Sequence, residues 1–253
     1  MRRVAAIYDI HGNLPALRAV LAEVQREGAD HIVVGGDVAS GPLPAKTLDA
    51  LTTLTTGVSF VMGNGDREIA DAYDGEDLAP PVLDESPAAR AALFAAEQIS
   101  AGQRELIGSF QPTVTLTIDG LGQVLFCHGS PRRDTEMITA LTDETRLTEI
   151  LSAVQAPTVV AGHSHRQFDR RLPRWRFVNA GSVGLPYEGR VGAFWALLGP
   201  DVELRRTDYD IAAALAELRA GGFDDVDELL EESLINPMDA DAVAQLFERG
   251  VNG

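Results

Sequence analysis

Five short polar clusters, each placed directly after an apolar run, constrain this chain more than any other feature. Asp9-Ile10-His11-Gly12-Asn13 follows the run at 4–8, Gly36-Asp37 follows 31–34, and Gly63-Asn64-Gly65-Asp66 follows 58–62. His128-Gly129-Ser130 follows 124–127, and Gly162-His163-Ser164-His165 follows 158–161. In open α/β sheets, ligands bind beyond the carboxyl ends of the strands, so polar residues at five strand ends can converge on one site.

The first three runs are short and rich in β-branched residues. Between the first two lies a stretch with helical spacing, Leu14, Leu17, Val20, Leu21 and Val24. Their separation of roughly 30 residues is the length of a βαβ unit, which predicts a parallel sheet with right-handed crossovers. An acidic, Pro-containing loop is expected from Asp71 to Pro81, followed by helices over 88–100 and 103–109, so that about 67–109 reads as a helical insertion. Alternation at Thr113-Val114-Thr115-Leu116-Thr117-Ile118, then Asp119-Gly120, then 123–127, is the pattern of an antiparallel hairpin that opens a second sheet. Further strands are expected at 158–161, 174–178, 191–198 and 202–206, with a helix over 143–153. A helical C-terminal tail at about 209–253 is interrupted near Asn236-Pro237. With no repeat and no low-complexity linker, residues 1–253 read as one domain of two packed sheets flanked by helices.

A net charge of −17 argues against duplex nucleic acid as a partner, because phosphate neutralisation needs clustered Lys and Arg. The acids of 71–85 and 224–232 read as solvated surface. The single cysteine, Cys127, lies in an apolar run and excludes an internal disulfide framework, which points to a buried thiol and a reduced, cytoplasmic setting. The N-terminal residues lack a secretory apolar core, and no run approaches the length of a membrane span. The pattern leaves open whether the chain forms a homo-oligomer.

The residue types in the clusters point to the chemistry. Asp9, His11, Asp37, Asn64, His128, His163 and His165 make a mixed oxygen and nitrogen donor set suited to divalent Mn²⁺, Fe, Ni²⁺ or Zn²⁺, with no thiolate. The set is too large for one tetrahedral ion and suits two divalent ions sharing a carboxylate. The i, i+2 pairs Asp9/His11 and His163/His165 need a turn just beyond a strand, which the adjoining glycines permit. His31 falls outside every cluster and reads as structural; Asn13 and Asp66, taken alone, read equally as helix caps.

In order, Asp9-Ile10-His11, Gly36-Asp37, Gly63-Asn64-Gly65-Asp66, His128 and Gly162-His163-Ser164-His165 resemble the signature of the calcineurin-like metallophosphoesterases. His128-Gly129-Ser130-Pro131-Arg132 and Asn179-Ala180-Gly181-Ser182-Val183-Gly184 look like the small bacterial and archaeal branch of that superfamily, and the similarity runs over about 4–186. The resemblance implies a four-layer α/β-β-α sandwich. It implies that Asp9, His11 and His165 hold one metal, Asn64, His128 and His163 the other, and that Asp37 bridges them, manganese being the first candidate. It further implies hydrolysis of a small phosphorylated substrate, a phosphodiester or nucleotide anhydride, by attack of a metal-bridging hydroxide, with Asp37 and Asn64 in the catalytic set.

One position departs from the signature. Where the family carries a histidine after the asparagine, this chain has Gly65. That histidine is generally assigned to protonate the leaving oxygen or stabilise the transition state, a role worth roughly 10²–10⁴-fold. Leaving groups that need no protonation are therefore expected, and a catalytically weak metal-binding scaffold or protein-interaction module is the alternative. Arg67 and Arg132 are the candidate catalytic substitutes, and Asn13, Arg132 and Arg133 the candidate substrate-binding residues.

Overall fold

The computed structural model describes residues 1–75 and 86–252. Of the loop expected over 71–81, Asp71 to Asp74 are helical, and Glu76 and Asp77, like Asp84 and Glu85 after it, lie outside the described residues.

Strand β1 (Val4–Ile7) is buried on both faces because it is the centre of its sheet. It pairs in parallel with β2 (His31–Val34), which pairs in parallel with β3 (Gly57–Phe60). Helix α1 (Leu14–Arg26) makes the first crossover, burying Leu14, Leu17, Val20 and Val24 as their spacing predicts. Each such side chain contributes about 1.5–3 kcal/mol when fully buried. The second crossover, expected from the βαβ spacing without bounds of its own, is α2 (Pro44–Thr52), with a proline in its first turn.

Helices α3 (Asn64–Asp74), α4 (Pro87–Gln98) and α5 (Ala101–Gly108) follow, so the first helix of this region starts at the polar cluster itself. Strands β4 (Thr113–Ile118) and β5 (Gly122–Cys127) form the expected antiparallel hairpin. After α6 (Glu144–Leu151) come β6 (Thr158–Ala161), β7 (Phe168–Arg171), β8 (Arg176–Asn179), β9 (Ala193–Leu198) and β10 (Val202–Thr207). β7 escaped the sequence reading because Phe-Asp-Arg-Arg has no apolar alternation; it is an edge strand, where charge is tolerated. The tail holds α7 (Ile211–Arg219), α8 (Val226–Leu230), a π-turn at Glu231–Ile235 and α9 (Ala240–Asn252), with the break at Asn236-Pro237. Among the described residues no helix is long and apolar enough to cross a membrane.

The strands form two five-stranded sheets, in the orders β10-β9-β1-β2-β3 and β4-β5-β6-β8-β7. β1 shows how the layers stack. Ala5 and Ile7 face a core shared with Leu17, Val20 and Leu48, while Val4, Ala6 and Tyr8 face a second core shared with Val124, Phe126, Val160 and Val178 of the other sheet. A third core places Leu147, Ile150 and Leu151 of α6 against Val159 and Phe177. The result is the four-layer α/β-β-α sandwich. The carboxyl ends of β1, β2, β3, β5 and β6 come together because β1–β3 are mutually parallel, as are β5 and β6.

The acidic surfaces are more structured than free solvated charge. Asp74 pairs with Arg104 at 2.5 Å, and Asp225 and Glu228 both pair with Arg90 at 2.6 Å, tying the tail to α4.

Candidate metal centre

Among the described residues, every non-glycine residue with a positive φ belongs to the polar clusters: Asp9 at 51°, His11 at 49°, Asp37 at 52°, His163 at 65° and His165 at 54°. Such left-handed backbone costs on the order of 1–3 kcal/mol per residue and persists only where surrounding contacts enforce it. Here those contacts are buried hydrogen bonds between strand-end loops. His11 N donates to Asp37 O at 2.9 Å, Gly12 N to Val38 O at 3.0 Å, and His163 N to Asp9 Oδ2 at 3.0 Å. Asp66 caps α3 and binds the loop after β2, accepting from the backbone N–H groups of Asp37, Val38 and Gly63 at 2.8, 2.9 and 3.1 Å. Gly36 allows the close approach this requires, since a Cβ there would stand 2.7 Å from Gly63 Cα and from His128 Nδ1.

The donor atoms of Asp9, His11, Asp37 and His165 lie within 4.8 Å of one another, as do those of Asp37, His128 and His163, so Asp37 belongs to both groups. Three imidazoles are held alike. Nδ1 of His11 lies 3.1 Å from Ser40 O, Nδ1 of His128 lies 2.9 Å from Gly35 O, and Nδ1 of His165 lies 2.8 Å from Leu185 O. An Nδ1–H donated to a carbonyl leaves Nε2 as a bare lone pair facing the centre, the second-shell arrangement typical of metal-binding histidines. His11 Nε2 and His165 Nε2 then face each other at 3.2 Å. Two lone pairs so close require a proton or a cation beside them.

Further buried atoms lack partners: Asp9 Oδ1, Asn64 Oδ1 and His128 Nε2. Buried polar atoms are normally satisfied, so three such orphans in one cluster fit a group that accepts lone pairs. Charge follows the same logic. Burial works against the ionised form of Asp37, but His128 and then His11 hold its carboxyl well below the usual carboxylate range. Burial likewise opposes charge on His128, yet Asp37 and Asp9 push it up to about 10, so that without a cation its Nε2 carries a proton that a metal would have to displace. Burial and the neighbouring His128 push His163 down to about 4.

A cavity of about 200 Å³ contains His11, Asp37, Asn64, His163 and His165, and its far wall carries Leu185, Tyr187, Leu229 and Phe247. A separate cleft of about 390 Å³ reaches His128 from the other side and is lined by Arg67, Arg132 and Arg133. The expected arginines thus line the neighbouring cleft and not the cavity. Arg67 is tied to Asp134 at 2.8 Å, and Arg132 is paired with Glu136. Arg133 has no ion pair among the described residues, and its side chain is exposed. Asn13 is a correction. It is fully buried, its Oδ1 accepts from Ala16 N at 3.1 Å and its Nδ2 donates to Gly184 O at 3.0 Å, so it caps α1 and has no end free for a phosphate.

The segment 179–184 packs beneath the cluster. Asn179 Nδ2 donates to Gly162 O at 2.6 Å and to Ser164 Oγ at 3.0 Å, and Ser182 Oγ donates to Asp9 O at 2.8 Å. Sequence reasoning missed Ser40, Glu68, Leu229 and Phe247. Of these only Glu68 carried a local signal, lying one helical turn after Asn64.

Buried aspartates and histidines gathered at the strand ends of a two-sheet α/β sandwich define a metallophosphoesterase-type centre. Residues 2–198 match the calcineurin-like phosphoesterase superfamily domain, and the chain belongs to that family. It is therefore placed among metal-dependent hydrolases of phosphoric esters. It is similar to the crystal structure of a metallophosphoesterase from Sphaerobacter thermophilus, with 25% identity, 94% of this chain and 99% of that chain covered, and a TM-score of 0.71. It also shares its fold with hypothetical protein PH1004 from Pyrococcus horikoshii OT3, with 20% identity, 92% and 97% coverage and a TM-score of 0.76. No curated protein sequence matches the chain significantly.

Proposed function

We propose that the chain is a dinuclear metal-dependent phosphodiesterase or nucleotide-anhydride hydrolase. The observation that carries this reading is the position of Asp37, whose carboxylate belongs to two separate donor groups. Asp9, His11 and His165 would hold one divalent cation, Asn64, His128 and His163 the other, with Asp37 between them. Such a pair, when bound, supplies charge neutralisation at phosphorus and lowers the pKa of water. The protein's own part is to keep four imidazoles and two carboxylates in register through backbone carbonyls and strained loops, so that little reorganisation is needed during reaction.

Two features favour diesters or anhydrides over monoesters. Gly65 offers no proton to a leaving oxygen, which suits leaving groups that depart as stable anions. The cluster also has open volume on two sides, about 200 Å³ beside His11 and His163 and about 390 Å³ beside His128, so that both substituents of a diester have room. Arg133 in the second cleft, exposed and without an ion pair among the described residues, suits an anionic substituent.

Metal-free protein titrated with Mn²⁺ is expected to bind two equivalents and then to cleave bis-p-nitrophenyl phosphate faster than p-nitrophenyl phosphate. The absence of metal-dependent turnover on a panel of diesters and dinucleotide anhydrides would overturn the reading. In that event, two-equivalent metal binding without turnover would support the second reading, a metal-binding scaffold, for which Gly65 is the supporting observation.

A further inference from the structure

Asn64 opens α3, and its side-chain amide faces two ways. Oδ1 is buried in the cavity without a hydrogen-bond partner, while Nδ2 donates to Glu68 Oε1 at 3.3 Å, one helical turn along. Glu68 is half-buried and lines the same cavity as Asn64, Asp37 and His163. The two ends of an asparagine amide have nearly the same shape and differ only in donor and acceptor character. Packing therefore cannot choose between them. The N–H end is taken by Glu68 from within α3, while the Asp37 carboxylate, which lines the same cavity, accepts from Gly65 N at 2.7 Å. If the amide turned over, its oxygen would be lost to the cavity and its N–H hydrogens would face any cation there.

We propose that Glu68 is a positioning residue that holds the Asn64 amide with its oxygen toward the metal centre. This rests on the dinuclear reading of the site and adds to it a residue outside the seven donors. Glu68 itself accepts the amide N–H and needs no contact with a cation. Partners of this kind, one bond removed from a metal, typically change metal affinity by about 10–100-fold when removed. The relation is local to α3, which fixes Asn64 and Glu68 at i, i+4.

The test compares Glu68→Met, which keeps the volume but has no comparable acceptor, with Glu68→Gln, whose Oε1 can still accept from Asn64. Calorimetric titration of the metal-free full chain with Mn²⁺ alone gives the readout. In Glu68→Met, one of the two binding events is expected to weaken by about 10–100-fold while the other is unchanged, and Glu68→Gln is expected to restore near-native affinity. In an Asn64→Ala background, Glu68→Met should cost nothing further, since coupled residues are non-additive. Thermal unfolding of the metal-free variants separates binding from folding. Native affinity in Glu68→Met, or equal loss in Glu68→Gln and Glu68→Met, overturns the proposal. Failure of the unsubstituted chain to bind Mn²⁺ overturns the dinuclear reading itself, and this inference with it.

Discussion

Ser40 Oγ stands 2.6 Å from the point that a Cβ on Gly65 would occupy, and Ser40 Cβ stands 3.2 Å from it. The same Oγ lies 2.9 Å from His11 Nδ1. The space that a side chain at 65 would need is thus taken by a residue that orients His11. Gly65→His is expected to lower activity rather than raise it, because the imidazole displaces Ser40 and loosens His11, with Mn²⁺ affinity falling by about 10-fold or more. Gly65→His combined with Ser40→Gly should recover part of that loss. Paired metal titrations of the single and double variants check both outcomes.

His128 lines the larger cleft and faces Asp37 Oδ2 at 3.4 Å. His128→Ala removes a donor from the group that also contains His163. Bound Mn²⁺, measured by elemental analysis after dialysis, is expected to fall from two equivalents toward one. Diester cleavage should fall on the order of 10²-fold or more, since several kcal/mol of transition-state stabilisation are at stake.

Asn179 joins the strand end of β8 to the loop after β6 through buried bonds to Gly162 O, Ser164 Oγ and Gly181 N. Asn179→Ala removes these bonds and leaves Gly162 O only the one from Ser164 N at 2.8 Å, each buried group left unsatisfied costing about 1–3 kcal/mol. Denaturant unfolding should show a loss of about 2–4 kcal/mol. Asn179→Asp recovers less than isosterism suggests, because a carboxylate cannot donate to Gly162 O.

Three of the four tyrosines resist ionisation. Burial raises Tyr8 well above its ordinary range and pushes Tyr187 and Tyr209 up to about 12. The folded state binds these phenolic protons more tightly than the unfolded chain does. Stability is therefore intact below the ordinary tyrosine pKa of about 10 and is lost as pH rises from there through about 12. Absorbance at 295 nm and circular dichroism, followed together, should show these tyrosines ionising only as the fold is lost.

Much of the architecture was legible before any coordinates. The βαβ spacing, the hairpin at Asp119-Gly120 and the tail break at Asn236-Pro237 all rest on periodicity and turn chemistry within a few residues. Strand β7 was missed because Phe-Asp-Arg-Arg carries a weak local pattern, and helix α2, implied by the βαβ spacing, was left without bounds because the segment 44–52 does too. Asn13 shows the converse: its type and place suited either a cap or a phosphate contact, and its bond to Gly184, distant in sequence, decided for the cap.

The sequence by itself determined which side chains stand at the strand ends, since a strand followed by Asp, His or Asn beside glycine is a local pattern. Tertiary structure alone decided what surrounds them. Ser40 filling the space beside Gly65, Arg67 and Arg132 turned to carboxylates in a second cleft, and Leu229 and Phe247 walling the cavity from the tail all depend on contacts between segments far apart in the chain. The physical reason is that residue type and spacing set local backbone shape. The direction in which a long side chain points is set by whichever partner the packing brings within reach.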